Sequence, residues 1–272
     1  MHHLHFRIAT PLTSLTTFLV DLDGVVYTGN TPIRGAAEFF RFLGATGRRF
    51  VCITNNSTLT PVQFVAKLAA MDVAVGPEQV LTSPQATAIY LRETLRLGPG
   101  ARVYPIGEEG VVRALLAEGF VLVDDKPDVV VCGLDRRLTY ARLARACFAL
   151  RDGAPLVATN PDHALPTERG LYPGNGATIA YLEAASGATA TVIGKPQPTM
   201  LRIAMARAGA SPGETAMIGD GLRTDMVAAR QAGVTGILTL TGIARREDLA
   251  AAEVPPDYVF DDLPALQAAL SA

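Results

Sequence analysis

The sequence of 272 residues contains no tryptophan and only three cysteines, Cys52, Cys132 and Cys147. Their odd number and apolar surroundings argue against a disulfide framework and favour buried free thiols in a reducing compartment. No apolar run approaches the roughly 20 residues that a membrane span needs. The N-terminal segment is a poor signal peptide, because threonines interrupt it and its most apolar part runs directly into two aspartates. These absences predict a cytoplasmic protein that does not bind a membrane.

The chain also lacks an excess of charge of either sign. Twenty-four basic and 26 acidic side chains give a net charge of -2, so the sequence provides no basic surface for nucleic acid or for an anionic membrane. Hydrophobic residues make up 49% and charged residues 18%, which is typical of a globular protein. The length allows one large domain or two smaller ones.

Short apolar runs alternate with amphipathic stretches throughout the sequence. Several runs are almost continuously apolar, as expected for parallel strands that are covered on both faces. This alternation predicts an α/β fold with a mainly parallel sheet. The predicted strands are TFLVD, RFVCITN, ARVYPIG, PDVVVCG, PLVATN, ATVIG, TAMIGD and TGILTL. Polar residues cluster where four strands end, in DLDG, TNNS, GKP and GDGLRTD, and strand ends of this kind bind ligands in open α/β sheets.

Asp21 and Asp23 follow the first apolar run and precede Gly24. Two such anions at 4 Å repel by about 4 kcal/mol at an effective dielectric near 20, so the pair calls for a cation or for a proton on one member. An ordinary Asp-Gly turn is the simplest alternative. A calcium loop is a second alternative, but the further oxygen ligands and the closing glutamate of an EF-hand are missing.

Thr54, Asn55 and Asn56 end a second predicted strand, and a helix is expected to begin near Thr60. Hydroxyl, amide and backbone N–H donors beside a helix N-terminus form an anion site, although an extended N-cap gives the same pattern.

The last two strand ends carry Lys195 and the pair Asp220 and Asp225. A lysine is most often a solvated surface residue, and the two aspartates are also compatible with a turn and a helix start. Carboxylates gathered at neighbouring strand ends, however, are ligands that Mg²⁺ prefers.

Taken together, DLDGVVYTG, ITNNS, Lys195 and GDGLRTD resemble the four motifs of the haloacid dehalogenase (HAD) superfamily, and the details DGVVY, TNNS, ATNPD and GKPQP resemble its 4-nitrophenylphosphatase, or NagD-like, branch. That branch includes phosphoglycolate and pyridoxal phosphate phosphatases. The resemblance implies a Rossmann-like parallel-sheet core with an inserted α/β cap domain. The core would comprise residues 1–81 and 191–272, and the cap residues 82–190.

The resemblance also implies the roles of the acidic residues. Asp21 would be the nucleophile that forms an aspartyl-phosphate, and Asp23 the general acid and then the general base. Mg²⁺ would be held by the Asp21 carboxylate, the Asp23 carbonyl and Asp220, while Asp225 would orient these ligands from outside the ligand set.

In the same reading, Thr54, Asn55 and Asn56 hold the phosphoryl oxygens, and Lys195 offsets negative charge on the phosphate and on Asp21. The segment from Asn160 to Gly176 resembles the substrate-specificity loop of the cap. His163 in this loop is the residue expected nearest the substrate, and an exposed loop histidine is the alternative.

The sequence therefore predicts a Mg²⁺-dependent phosphatase acting on a small phosphorylated metabolite. A phosphotransferase or phosphomutase using the same aspartyl-phosphate is the closest alternative, and a phosphate-accepting regulatory module of the receiver type is the more distant one. A dehalogenase is disfavoured because it would need neither Mg²⁺ nor Asp23. The physiological ester is left open, as is a homo-oligomer formed through the cap.

Overall fold

The computed structural model describes residues 10–167 and 170–272; residues 1–9, which begin the segment considered above as a signal peptide, lie outside the described residues. The strands are β1 (Thr17–Asp21), β2 (Tyr27–Thr28), β3 (Thr31–Pro32), β4 (Arg49–Thr54), β5 (Val80–Thr82), β6 (Arg102–Ile106), β7 (Val121–Leu122), β8 (Val129–Cys132), β9 (Leu156–Ala158), β10 (Ala164–Thr167), β11 (Gly170–Pro173), β12 (Ala190–Val192), β13 (Thr215–Gly219), β14 (Thr235–Thr239) and β15 (Tyr258–Phe260). The helices are α1 (Ala36–Ala45), α2 (Pro61–Ala69), α3 (Ser83–Glu93), α4 (Glu109–Ala117), α5 (Tyr140–Arg151), α6 (Asn175–Ser186), α7 (Thr199–Ala208), α8 (Val227–Ala232) and α9 (Leu263–Ser271).

The chain forms two compact units. The first comprises residues 1–52, 71–74 and 201–272, and the second comprises residues 53–70 and 75–200. The strands predicted from apolar runs are all present, and the predicted α/β fold with parallel sheets is confirmed. The division into a core of residues 1–81 and 191–272 and a cap of residues 82–190 stays a prediction.

The first unit is built on a sheet whose strands follow the order β15–β14–β13–β1–β4. The pairs β1/β13, β13/β14 and β14/β15 are parallel, and Val20 lies opposite Ile218 where β1 and β13 approach their ends. Phe18, Leu19 and Val20 are fully buried, as expected for a strand covered on both faces. Because the strands are parallel, the residues that follow β1, β13 and β14 meet at one edge of the sheet.

The second unit contains a parallel sheet with the order β12–β9–β8–β6–β7. Helices α5 and α6 pack together, and their apolar side chains cover strands β6, β8 and β9. An antiparallel hairpin, β10–β11, lies within the segment that the sequence indicated only as a polar loop. Helix α2 begins as predicted, since Thr60 forms a capping box with Gln63 and Pro61 occupies the first helical position.

Among the described residues, no helix is both long enough and apolar enough to cross a membrane.

Candidate active site

Asp21 is the last residue of β1, and its side chain is buried. Its Oδ1 atom accepts a hydrogen bond of 2.8 Å from the N–H of Leu22, which fixes the direction of the carboxylate. The strand ends here because the chain turns at Gly24, whose φ of 81° is a conformation that residues with a Cβ rarely adopt. The Gly24 N–H donates to the carbonyl of Tyr27 at 2.8 Å and closes this turn.

Three aspartates meet at this edge of the sheet. Asp21, Asp220 and Asp225 are all buried, and each places one carboxylate oxygen within 4.8 Å of the others. Asp220 directly follows β13, the parallel neighbour of β1, so the strand pairing itself brings Asp21 and Asp220 together. We refer to Asp21, Asp220 and Asp225 as the acidic cluster.

Residues that follow β14 hold Asp220. The N–H of Ile243 donates to Asp220 Oδ2 at 2.7 Å, and the N–H of Ala244 donates to the Asp220 carbonyl at 3.1 Å. A Cβ at Gly242 would lie 1.9 Å from Asp220 Oδ2, and one at Gly24 would lie 2.2 Å from the same atom. Two glycines are therefore required for the backbone to approach this carboxylate so closely.

Asp225 is fully buried in a single π-helical turn, Leu222–Met226. Its Oδ2 atom accepts a 2.9 Å hydrogen bond from the N–H of Gly221. A Cβ at Gly219 would lie only 2.3 Å from the Asp225 side chain. The glycines of the GDGLRTD motif thus allow Asp225 to fold back onto the end of β13, where one of its carboxylate oxygens lies within 4.8 Å of oxygens of Asp21 and Asp220.

The acidic cluster fits a small divalent cation. Mg²⁺ binds oxygen ligands at about 2.1 Å in an octahedron, so opposite ligand atoms stand about 4.2 Å apart. The carboxylate oxygens of the acidic cluster lie within 4.8 Å of one another, a limit that includes this spacing. Three buried carboxylates also repel strongly, and a divalent cation removes that repulsion. The donor set is therefore one that a hard cation prefers.

Asp23 is exposed, unlike Asp21, and forms an isolated bridge with Tyr27. The pKa of the buried Tyr27 hydroxyl is raised by desolvation first, and then by the Asp23 and Asp21 charges. The pKa of the Cys52 thiol is raised by burial and, to a smaller extent, by Asp21. Both groups are therefore protonated at neutral pH.

In the second unit, Thr54 and Asn56 organise a tight local turn. Asn56 N–H donates to Thr54 Oγ1 at 3.1 Å, and Asn56 Oδ1 accepts from the N–H and hydroxyl of Thr58. This turn leads into the capped N-terminus of α2. The donors predicted to bind phosphate are thus held in a defined conformation at the end of β4.

The side chain of Asn55 is bound to another part of the same unit. Its Oδ1 accepts from Lys195 N–H at 2.9 Å, and its Nδ2 donates to the Lys195 carbonyl at 2.9 Å. The same Nδ2 also lies 3.2 Å from Oδ1 of Asp162. Lys195 itself is 2% exposed, so the alternative of an ordinary solvated surface lysine is wrong.

The segment predicted to select the substrate begins beside Asn55. Asn160 Nδ2 donates to the Asn55 carbonyl at 2.9 Å, and Asn160 Oδ1 accepts from the N–H of Asp162 at 3.2 Å. His163 is exposed, and its Nδ1 atom lies near the start of α6, 2.6 Å from where a Cβ at Gly176 would stand.

The structure therefore assembles two sets of predicted residues, each within one unit. The acidic cluster with Asp23 belongs to the first unit, and Thr54–Asn56, Lys195 and His163 belong to the second. The sequence did not single out Ile243 or Asp162. Thr241-Gly242 after a predicted strand was the only local signal for the first, and the position of Asp162 in ATNPD was the signal for the second.

The comparisons with known proteins agree with the motifs. A sequence model described as haloacid dehalogenase-like hydrolase matches residues 18–121, and a second HAD-hydrolase-like model matches residues 192–266. An acid sugar phosphatase of Staphylococcus aureus (strain USA300) is 41% identical over 247 residues, which cover 90% of this chain and 94% of the relative.

Two solved structures are similar along almost the whole chain. The 4-nitrophenylphosphatase of Thermotoga maritima has a TM-score of 0.90 and 36% identity, covering 95% of this chain and 98% of its own. The glycerol phosphate phosphatase of Mycobacterium tuberculosis, solved in complex with calcium, has a TM-score of 0.86 and 36% identity, covering 94% of this chain and 75% of its own.

Proposed function

The chain belongs to the haloacid dehalogenase-like hydrolases and is a phosphoric monoester hydrolase, and we propose that it hydrolyses small phosphate monoesters with Mg²⁺ through an aspartyl-phosphate on Asp21. The observation that carries this proposal is the acidic cluster. A buried carboxylate at the end of β1 lies within 4.8 Å of two others, in the position where the family resemblance puts the nucleophile.

The substrate class follows from the relatives. They are named for acid sugar phosphates, 4-nitrophenyl phosphate and glycerol phosphate, which share only the phosphoryl group and a small organic alcohol. We therefore assign a small phosphate monoester and no particular alcohol.

The metal proposal rests on the donor set. The Asp21 carboxylate, the Asp23 carbonyl and Asp220 are the ligands that the resemblance implies, and Asp225, whose carboxylate oxygen lies within 4.8 Å of those of Asp21 and Asp220, orients them. The structure of the mycobacterial relative with calcium supports a divalent cation in proteins of this fold. Bound Mg²⁺ would supply positive charge against the carboxylates and the phosphoryl oxygens.

In the proposed first step, a carboxylate oxygen of Asp21 attacks phosphorus, and the bond from phosphorus to the ester oxygen breaks. Asp23 gives its proton to the departing alkoxide, so the alcohol leaves neutral. In the second step the Asp23 carboxylate takes a proton from water, which attacks phosphorus and releases phosphate from Asp21. The exposure of Asp23 suits this role, because the same carboxyl group must meet both the leaving group and water.

The roles of the second unit rest on the family resemblance. The segment Thr54–Asn56 holds the phosphoryl oxygens, and Lys195 adds a positive charge. His163 contacts the alcohol part of the substrate. The ordered turn at Thr54–Asn56 supports this proposal, since donors fixed before the reaction need no reorganisation during it.

A turnover assay separates hydrolysis from the alternative of phosphotransfer. With Mg²⁺ and a panel of sugar, glycerol and aryl phosphates, we expect free phosphate to accumulate over many cycles without an added acceptor. A phosphotransferase or phosphomutase would instead need an acceptor alcohol, and a regulatory module would release at most one phosphate per chain.

A further inference from the structure

The side chain of Asn55 makes three hydrogen bonds that join two parts of the second unit. Its carbonyl oxygen and its amide nitrogen bind the N–H and the carbonyl of the same residue, Lys195, at 2.9 Å each. Its amide nitrogen also points to the Asp162 carboxylate, at 3.2 and 3.4 Å from the two oxygens. An asparagine amide has two hydrogens, so the Lys195 carbonyl and Asp162 use its full capacity as a donor.

The backbone of Asn55 continues this connection. Its carbonyl accepts from Asn160 Nδ2 at 2.9 Å and from Ser83 Oγ at 2.7 Å. Asn160 is only 4% exposed, and its carbonyl accepts at 2.8 Å from Asn175, the first residue of α6. The segment before His163 is therefore bound at both its side chains and its backbone.

The backbone at Gly194 approaches Asn55 so closely that this arrangement leaves little conformational freedom. A Cβ at Gly194 would lie 2.6 Å from Asn55 Oδ1 and 2.4 Å from the carbonyl of Thr159. Gly194 thus allows the backbone of Lys195 to reach Asn55, and Lys195 itself is almost completely buried. A shift of the Asn55 amide would move the backbone of Lys195 with it.

We propose that the Asn55 side chain is a positioning residue that couples the Asn160–His163 segment to Lys195, and that it is not a donor to the phosphoryl group. The proposal rests on the function proposed above for Lys195 and His163. It assigns the phosphate contacts of the Thr54–Asn56 segment to groups other than the Asn55 side chain. Removing the Asn55 amide then acts through Lys195 and through the orientation of the loop.

The first test asks whether Asn55 acts through Lys195. Asn55→Ala should lower kcat/KM for every ester, on the order of 100-fold, because small displacements of catalytic groups are costly. In a Lys195→Ala background the same substitution should cost about tenfold or less, because the part that acts through Lys195 is already lost and only the effect on the loop remains. A full additional loss in that background would overturn the proposal, because it would place the amide on the substrate itself.

The second test exchanges the asparagine at position 55 and the aspartate at position 162. Asn55→Asp retains the size of the side chain but removes the amide that donates to Asp162 and to the Lys195 carbonyl, and Asp162→Asn supplies a donor to position 55 from the other side. We expect the double variant to recover about tenfold of the activity lost in Asn55→Asp, the scale of one hydrogen bond to a charged group. No recovery would contradict the coupling between Asn55 and Asp162. This arm holds even if Asn55→Ala does not fold.

A third readout does not depend on turnover. Hydrogen exchange of the Lys195 amide should become about tenfold faster in Asn55→Ala, because its acceptor is removed. Asn56→Ala is the matched control, since Asn56 binds Thr58 and should leave exchange at Lys195 unchanged. Unchanged exchange in Asn55→Ala would show that the Asn55 side chain does not hold the backbone of Lys195. If the unmodified protein hydrolysed no ester, the proposed function would fail while this measurement still decided the role of Asn55.

Discussion

The polar side chains of the two units are arranged in different ways. In the first unit, three buried carboxylates lie within 4.8 Å of one another, an arrangement that suits a divalent cation. In the second, the amides of Asn55, Asn160 and Asn175 bind backbone groups of the same unit. The first arrangement favours binding of a cation, and the second fixes the conformation of the chain. Substitutions in the two regions should therefore differ in kind.

The largest effect is expected at the nucleophile. Asp21→Asn keeps the size of the side chain and an acceptor for the Leu22 N–H, so the fold should be retained. Turnover should fall by several powers of ten, because an amide cannot form the covalent intermediate. Steady-state assays together with circular dichroism check this expectation. Residual activity above about one per cent in a pure sample would show that Asp21 is not the nucleophile.

Metal binding should stabilise the first region. Mg²⁺ at about 100 times its dissociation constant should raise the free energy of unfolding by about 2.7 kcal/mol, and EDTA should remove both this increment and the activity. Asp220→Asn should lose most of the increment while keeping the contact with the Ile243 N–H.

Asp257→Asn is the matched control for this measurement, because Asp257 Oδ2 also accepts a backbone N–H in the first unit but lies outside the acidic cluster. It should keep the full increment from Mg²⁺. Full activity of the unmodified protein in EDTA would remove the metal from the mechanism.

In the second region, a loop residue and a core residue should have different effects. His163→Ala should lower kcat/KM unequally among esters, by about 1–3 kcal/mol in activation free energy for the preferred one. Lys195→Ala should slow all esters by similar factors, because every substrate carries the same phosphoryl group. Equal losses for both variants on all esters would show that His163 does not contact the alcohol.

The smallest effect concerns an ion pair of the second unit, Glu108 and Arg136. Hydrogen bonds from Arg136 lower the pKa of Glu108 despite partial burial, so the pair stabilises the folded state above the ordinary glutamate pKa near 4.3 and loses this contribution as the pH falls through the lowered pKa. Arg136→Ala should cost at most about 1 kcal/mol at neutral pH, since the arginine is largely exposed.

Urea unfolding at several pH values checks this expectation. The difference between Arg136→Ala and the unmodified protein should shrink below about pH 4. Arg113→Ala is the control, because its exposed partner Glu109 lies at 3.4 Å and should contribute little at any pH. A difference that grows in acid would contradict the direction of the Glu108 shift.

Local patterns were sufficient to predict much of the first unit. Apolar runs marked the strands, and Asp21, Asp220 and Asp225 stand in compact motifs at the ends of two neighbouring parallel strands. The approach of Asp21 to Asp220 follows from strand pairing, whereas Asp225 reaches them through the π-helical turn Leu222–Met226, which the sequence did not indicate. The family resemblance added the roles, which the apolar pattern does not contain.

The second unit was less accessible from sequence, because its contacts join distant residues. Asn55 and Lys195 are 140 positions apart, and no periodicity links them. The β10–β11 hairpin was missed because glycine and proline in the segment from Asn160 to Gly176 indicated only a loop. The sequence also did not indicate that the Asn55 side chain has hydrogen-bond partners of its own, because Asn55 stands in one motif with Thr54 and Asn56.

The most direct test of the proposed mechanism is to trap the covalent intermediate. Asp23→Asn should still be phosphorylated by a highly activated aryl phosphate, which needs no general acid, and should lose phosphate slowly because the general base is gone. After acid quenching and digestion, mass spectrometry should find one phosphoryl group on the peptide that contains Asp21, and none in Asp21→Asn. Turnover of the unmodified protein with no phosphoryl group on Asp21 in the trapped variant, or a phosphoryl group on another residue, would contradict the account.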